Sequence, residues 1–291
     1  MLIRMEDLTW LELRAALNCG FDTVLLVLGS IEQHGPHLPL GTDTMLGYAW
    51  GEAIARKLGH TLLAPVIRPG LSRHHLGFPG TLTLDESAFQ CTVEQVAVSL
   101  ALTGFRTLIP FCSHGGNWQA LFSIRRRLED ALPDAMQLVL LNEAAVEGIE
   151  REICDFLRLR GISEGVAGIH AGLRETSHVL AISSSAVRRD SAVCGWMGES
   201  ALQQLSEGKS IIEITDTGVF GDATAATEDL GRELNDLTVR LYADAFRAAM
   251  TQREFASMGG SGPAALDQDQ TQSAQHYDDR LENGGSNHGH I

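Results

Sequence analysis

The segment from Gly29 to Thr44, GSIEQHGPHLPLGTDT, contains the first residues that could carry chemistry. Glu32 and His34 are two positions apart, so in an extended segment their side chains project to the same side. Asp43 follows a loop with Gly and Pro that can fold back towards them. Glu, His and Asp are ligands that suit zinc, manganese or iron. The pattern indicates either a divalent metal site or a solvated Glu–His pair in a polar loop.

A second candidate group lies in Phe111–Ala120, FCSHGGNWQA. His114 follows an apolar run, and Gly115 and Gly116 allow the backbone to approach a ligand closely. Asn117 stands where a helix N-cap is expected, with backbone N–H groups directed at the same place. The arrangement favours a functional His114, and the alternative is a structural histidine after a strand.

The third group, Gly168–Leu180, reads GIHAGLRETSHVL. His170 is a candidate acid or base because the ordinary pKa of histidine lies near neutrality. Glu175 is a candidate metal ligand, and the alternative is a helix start capped by Glu-Thr-Ser. A smaller segment, Ser72–Leu84, places His74 and His75 beside a Phe-Pro-Gly turn, which we interpret as a substrate-facing loop.

Predicted strands and helices that alternate along the chain must position these groups. Short apolar runs predict buried parallel strands at Phe21–Gly29, Thr61–Ile67, Thr107–Cys112 and Met136–Leu141. Helical spacing predicts helices at Thr44–Leu58, Glu86–Thr103, Trp118–Leu132 and Glu143–Arg160, and a last one from about Thr224 to Arg253 with room for one break. The alternation predicts an α/β fold with a mainly parallel sheet. Ligands collect at the carboxyl ends of such strands, where the loops after the first and third strands should meet.

Composition excludes several classes. The net charge of the 291 residues is −15 and no Lys/Arg run of the kind that would follow a phosphate backbone occurs, so we expect no nucleic-acid partner. Five cysteines without CxxC spacing, no signal peptide and no long apolar stretch predict a cytoplasmic protein without a membrane partner. From Gly259 the chain is rich in Gly, Ser, Gln and Asp, so we predict a folded domain at 1–258 and a disordered acidic tail at 259–291.

The run Glu32-Gln33-His34-Gly35-Pro36-His37-Leu38-Pro39, followed by Asp43, resembles the signature of the creatininase (creatinine amidohydrolase) family. Four more blocks are similar to that family's motifs and follow in its order. They are Phe78–Thr81, His114–Asn117, His170–Gly172 with Glu175–Ser177, and Gly218–Asp222. Together the five blocks run through most of the chain before the tail.

The resemblance implies a three-layer α/β/α sandwich with two adjacent divalent ions, zinc, manganese or iron. Asp43 would bridge them, with Glu32 and His114 on one ion and His34 and Glu175 on the other. Creatininase itself has a glutamate ligand where this chain has Gly116, so the second carboxylate falls to Glu175. His170 would transfer the proton. The resemblance also implies a homo-oligomer, and hexamers are common in the family.

The expected function is metal-dependent hydrolysis of a non-peptide C–N bond in a small-molecule substrate, such as a cyclic amide or formamide. Two ions supply an activated water and polarise the scissile carbonyl. Within the same family, the alternatives are a peptidase-like maturation enzyme and a hydrolase of cyclic ketones. A metal-free hydrolase using Cys112 or Ser113 is disfavoured because the chain has no GxSxG elbow. A non-enzymatic binding protein is disfavoured because all five ligand positions hold competent residues.

Overall fold

The structure, a computed structural model, describes residues 3–198 and 201–258. Its centre is a parallel four-stranded sheet with the order β2-β1-β3-β4. The strands are β1 (Thr23–Leu28), β2 (Thr61–Leu63), β3 (Thr107–Cys112) and β4 (Gln137–Leu138). Thr23 of β1 pairs with both Thr61 and Thr107, which sets the register of the three strands. The tail predicted at 259–291 lies outside the described residues.

Strand β1 is buried on both faces. Leu25 and Val27 point to one hydrophobic core, whereas Val24, Leu26 and Leu28 point to another. All five side chains have no exposed surface. Because successive residues of a strand face opposite sides, a strand of this kind needs a layer of helices on each face. The predicted three-layer α/β/α sandwich is confirmed.

Helices cover the two faces of the sheet. Their bounds are α1 (Trp10–Asn18), α2 (Thr42–Leu58), α3 (Glu86–Thr103), α4 (Trp118–Ser123), α5 (Arg125–Ala131), α6 (Glu143–Arg158), α7 (Glu164–Ala167), α8 (Leu173–Ile182), α9 (Ala201–Ser206) and α10 (Glu228–Met258). Helices α2, α6, α8 and α10 pack on the face of Leu25 and Val27. Helices α1, α3, α4 and α5 pack on the other face. Long helix α10 also packs directly against α8, α2 and α6.

Four predicted elements differ from the structure. The helix predicted at Trp118–Leu132 is two helices, because Ile124 leaves the helical range at φ −95° and ψ 6° while its side chain stays buried. Helix α10 is unbroken and starts only at Glu228. The strand predicted at Thr61–Ile67 stops at Leu63, before Pro65, which has no N–H for the ladder. The one predicted at Met136–Leu141 pairs only at Gln137 and Leu138.

The described residues contain no helix that combines the length and the apolar character needed to span a membrane.

Candidate metal centre

Loops at the carboxyl edge of the sheet bring the predicted residues together. The loop after β1 carries Glu32 and His34, and the loop after β3 carries His114. Asp43 lies in the first turn of α2, where the helix dipole favours an anion, and it accepts a hydrogen bond from the Ser30 hydroxyl. Glu175 lies in the first turn of α8. Residues from four separate segments therefore converge on one place.

Two groups of candidate ligand atoms share the Asp43 carboxylate. Within each group the ligand atoms lie within 4.8 Å of one another. Among the described residues, one group consists of Glu32, Asp43 and His114, and the other consists of His34, Asp43 and Glu175. His114 Nδ1 is 3.4 Å from both Glu32 Oε1 and Asp43 Oδ2. His34 Nε2 is 3.5 Å from Glu175 Oε1 and 3.7 Å from Asp43 Oδ2. We call these five residues the carboxylate–histidine cluster, and their role as ligands stays a prediction.

Hydrogen bonds to backbone carbonyls set the tautomers of three histidines at the cluster. His34 Nδ1 lies 3.1 Å from the carbonyl of Glu32, and His114 Nε2 lies 3.1 Å from that of Leu71. His170 Nε2 lies 2.8 Å from the carbonyl of Gln33. Because a carbonyl only accepts, each of these nitrogens carries the hydrogen. The other nitrogen of each neutral ring therefore presents a lone pair to the carboxylates, the arrangement found in metal-ligating histidines.

The electrostatics of the cluster favour the binding of positive charge. Burial raises the pKa of Glu32 to about 7. Burial works to lower the pKa of His34, but the carboxylates of Glu175 and Asp43 hold it well above its ordinary value. Burial likewise opposes the charge of His114, and Glu32 raises its pKa to about 9. A cation would take the place of these protons.

Two buried polar atoms at the cluster have no hydrogen-bond partner, Glu32 Oε2 and His34 Nε2. Leaving such atoms buried and unpaired is costly, and a bound cation would give both of them a partner. Carboxylate oxygens and imidazole nitrogens are the donor types that zinc and similar divalent ions accept. The side chains present therefore fit a divalent metal.

His170, the predicted proton-transfer residue, lies against the same cluster. Its Nδ1 is 3.8 Å from Glu32 Oε1 and 3.9 Å from Glu175 Oε2, and its ring centre is 4.4 Å from that of His34. Burial, with His34 adding to it, lowers the pKa of His170 to about 3. The ring is therefore neutral at pH 7 and able to accept a proton at Nδ1. Its proton-transfer role stays a prediction, because Glu32, His34 and His170 also form a third group with ligand spacing.

A left-handed residue shapes the turn that presents Glu175. Ala171 has φ 53°, uncommon for a residue with a side chain, and its N–H donates to Glu175 Oε2 at 2.6 Å. Glu175 thus uses one oxygen to hold the helix start, while Oε1 faces His34. Thr176 and Ser177 do not cap α8. The Thr176 hydroxyl donates to the carbonyl of Ala171, and the Ser177 hydroxyl accepts from the N–H of Thr227.

Asn117 is the N-cap residue of α4, as predicted, but its side chain makes no capping hydrogen bond. Its side-chain amide donates to the carbonyls of Leu28 and Gly29, and its oxygen accepts from the N–H of Leu71. Asn117 therefore ties the end of β1 to a neighbouring loop, a tertiary role that local sequence does not reveal. Next to it, a Cβ at Gly116 would lie 2.5 Å from His114 Nε2, so no side chain fits there.

His75 was assigned to a substrate-facing loop, but the structure buries it in the cluster. Its Nε2 lies 3.3 Å from Glu32 Oε1, and only 2 % of the residue is exposed. Gln33 was also missed, although its amide contacts both His75 and His170 at 3.0 Å. The one available signal was position in the sequence: Gln33 lies inside a motif block, and His75 lies three residues before the block Phe78–Thr81.

Comparison with known proteins matches the family described as "Creatininase: Creatinine amidohydrolase" to residues 6–246. The chain belongs to the creatininase family. It is therefore a creatininase-family hydrolase, and it carries a candidate Glu/His/Asp metal site. A solved structure of this family, "Creatininase Mn", has the same fold with a TM-score of 0.69 and 24% identity, over 85% of this chain and 98% of that one.

Two peptidases are similar over most of their length, and a creatinine amidohydrolase is similar over less than half of its length. The mycofactocin precursor peptide peptidase of Mycobacterium ulcerans is 34% identical over 228 residues, 75% of this chain and 82% of that protein. The peptidase of the same name from Mycolicibacterium smegmatis is 30% identical over 72% of this chain and 78% of its own. The creatinine amidohydrolase of Pseudomonas putida is 33% identical over a shorter stretch, 38% of this chain and 44% of that protein.

Proposed function

We propose that this creatininase-family protein is a two-metal hydrolase that cleaves an amide C–N bond in a short peptide. The observation that carries the proposal is the set of histidine lone pairs directed at buried carboxylates. Two acceptors facing each other repel unless a proton or a cation lies between them. His34 and His114 each face two carboxylates at 3.4–3.7 Å in this way.

The residues divide naturally between two ions. Glu32 and His114 would hold one, His34 and Glu175 the other, and Asp43 would be shared. Zinc, manganese and iron all suit this donor set. When bound, two such ions supply an activated water and polarise the scissile carbonyl. The neutral His170 ring, with Nδ1 beside Glu32, would take a proton at that atom and deliver it to the leaving nitrogen.

A peptide substrate is supported by the relatives that share most of their length with this chain. Their names describe a peptidase acting on a precursor peptide, and they cover more than two thirds of both chains. In addition, the loop that carries His75 exposes the apolar side chains of Leu76 and Leu82, which suits apolar peptide side chains. The non-peptide C–N bond expected from the sequence becomes the second candidate, because the similarity to these peptidases extends over more than two thirds of both chains.

A non-peptide amide remains the second candidate because of the similarity to creatinine amidohydrolase. Against it stands Gly116, where creatininase has a glutamate and where this chain has no space for one. A homo-oligomer, with a hexamer as one form, is a further proposal that rests on the family, and sedimentation velocity measures it.

The test combines elemental analysis with a substrate panel. We expect about two divalent ions per chain after reconstitution with zinc, manganese or iron, and turnover that a chelator abolishes. The panel pairs short peptides with lactams, N-formyl compounds and creatinine at equal concentration. Cleavage of peptides alone supports the proposal, and cleavage of the small amides alone supports the second candidate. A protein that binds no metal, or keeps its turnover in chelator, would overturn both.

A further inference from the structure

His75 differs from the other histidines at the cluster. It lies in a single turn of 3-10 helix, Arg73–His75, and its ring centre is 4.6 Å from that of His170. None of the three groups with ligand spacing among the described residues includes it. No backbone carbonyl within hydrogen-bond distance of its ring sets its tautomer in the described structure. Its partners are two side chains, Gln33 at Nδ1 and Glu32 at Nε2.

The amide of Gln33 has one orientation only. Its oxygen accepts from the N–H of Gly35 at 2.9 Å, and its nitrogen donates to the carbonyl of Gly218 at 3.2 Å. Exchanging the two atoms would break both bonds, because the amide nitrogen would then face the N–H of Gly35 and the amide oxygen would face the carbonyl of Gly218. Gly218 must be glycine for this, since it has φ 71° and a Cβ there would lie 2.1 Å from Gln33 Oε1.

One hydrogen of the Gln33 amide remains, and two histidine nitrogens lie 3.0 Å from it. His170 Nε2 is not an acceptor, because its own hydrogen goes to the backbone carbonyl of Gln33 at 2.8 Å. The remaining amide hydrogen therefore goes to His75 Nδ1. With Nδ1 accepting, the neutral His75 ring carries its hydrogen on Nε2, and this atom lies 3.3 Å from Glu32 Oε1.

We propose that Gln33 and His75 are a positioning pair for Glu32: Gln33 holds His75 in the tautomer that donates to the Glu32 carboxylate and so aims that carboxylate at the metal. The proposal rests on the two-metal function. It makes His75 a donor to a ligand, in contrast to His34 and His114, which present lone pairs. Hydrogen bonds of this kind to a ligating carboxylate typically change metal affinity 10–100-fold.

Four variants of the full chain test the pair, with zinc affinity measured by competition with a chromophoric chelator. His75→Leu removes the donor and should weaken zinc binding about 10–100-fold. His75→Gln places an amide N–H near the position of Nε2 and should restore most of that affinity. Gln33→Met should weaken binding in the wild-type background but change little in His75→Leu, because Gln33 acts through His75. His74→Leu, the neighbouring histidine, is the matched control and should bind zinc normally.

Wild-type zinc binding is measured first, so a failure of the two-metal function is seen separately. Wild-type affinity in His75→Leu, with circular dichroism showing a folded chain, would overturn the proposal. Loss of a full equivalent of zinc in both His75→Leu and His75→Gln at saturating metal would also overturn it, since His75 would then be a ligand. Additive effects of Gln33→Met and His75→Leu would overturn the part assigned to Gln33.

Discussion

Two polar regions, one buried and one partly buried, meet at α8, and their charges are balanced in different ways. One is the carboxylate–histidine cluster, which includes Glu175. The other, which we call the second polar region, consists of Trp50, Glu150, Arg174, His178 and Asn235 from α2, α6, α8 and α10. Both contain histidine and carboxylate beside a sheet of apolar strands. Only the first has the spacing of a metal site among the described residues.

Most donors meet acceptors in the second polar region, where His178 Nε2 is the one buried side-chain atom without a hydrogen-bond partner among the described residues. Asn235 Oδ1 accepts from Trp50 Nε1 at 2.7 Å and from His178 Nδ1 at 2.8 Å. Arg174 donates to both oxygens of Glu150, at 2.7 and 3.2 Å. Burial, with Arg174 adding to it, lowers the pKa of His178 to about 4 and keeps that ring neutral. The region balances its charge with a protein cation.

In the cluster, three backbone carbonyls have taken the ring hydrogens of His34, His114 and His170, so each ring in its neutral form turns an acceptor towards the carboxylates. An added proton or a bound cation must therefore lie between the facing atoms. Histidine and glutamate therefore do not define a metal site by their types alone. What separates the two regions is which atom carries each hydrogen. The carboxylate of Glu150 pairs with Arg174 in the second polar region. We expect the carboxylates of the cluster to pair with a bound cation instead.

The largest expected difference between the two regions comes from making the same substitution, glutamate to glutamine, in each of them. Glu175→Gln keeps the shape but removes a charge from the cluster, so we expect about one metal per chain. Activity should fall at least about 10³-fold, because an ion contributes several kcal/mol of transition-state stabilisation. Glu150→Gln is the matched control and should keep two metals and activity within a few-fold. Elemental analysis and steady-state kinetics measure both.

If Glu175→Gln kept two metals and normal turnover, Glu175 would serve only the start of α8. The ligand set would then have to be rebuilt without it.

A substitution of His170, which lies against the cluster, distinguishes a role in proton transfer from a role as a metal ligand. We expect His170→Ala to lower kcat by about 10²–10⁴-fold, the range for positioned proton transfer, with metal content unchanged. The reason is that the ring is neutral, with Nδ1 directed at Glu32 and Glu175. Metal loss in this variant would instead make His170 a ligand, in line with its place in the third group.

Asn235→Ala should destabilise the second polar region without affecting the cluster. It leaves the N–H groups of Trp50 and His178 without their acceptor, which costs about 1–3 kcal/mol of unfolding free energy. In a chain of this size each kcal/mol lowers the melting temperature by about 2–4 °C. Metal content should not change. A variant that loses metal but melts at the wild-type temperature would show that the two regions are not independent.

The smallest effect concerns the pH dependence of the second polar region. Burial works to raise the pKa of Glu150, but Arg174 outweighs it and holds the pKa below its ordinary value of 4.5. The ion pair therefore stabilises the fold above pH 4.5, and this contribution is lost as the pH falls. Because 43% of the Glu150 side chain is exposed, we expect at most about 1 kcal/mol at pH 7.

Chemical denaturation of wild type and Glu150→Gln at pH 7 and pH 4 measures this difference. A gap between the two proteins that widened towards low pH would contradict the assignment.

Local sequence was enough for the main elements and for the residues of the cluster. The period of the apolar residues predicted β1, β3 and the long helices, because burial of one or both faces leaves a regular trace in the chain. The motif blocks named Glu32, His34, Asp43, His114, His170 and Glu175, and the structure brings them together. Strand ends were less certain, as at Pro65, because pairing depends on a neighbouring strand.

Tertiary structure alone decided what the neighbouring polar residues do. His75 sits in a loop that looks exposed in sequence, and Asn117 looks like a helix cap, yet each bonds to a segment more than 40 positions away. Ring tautomers were equally hidden, since a histidine's hydrogen goes to whichever carbonyl the fold places beside it. Residue type and spacing follow from the chain itself, whereas the partner of each polar atom is set only when distant segments pack together.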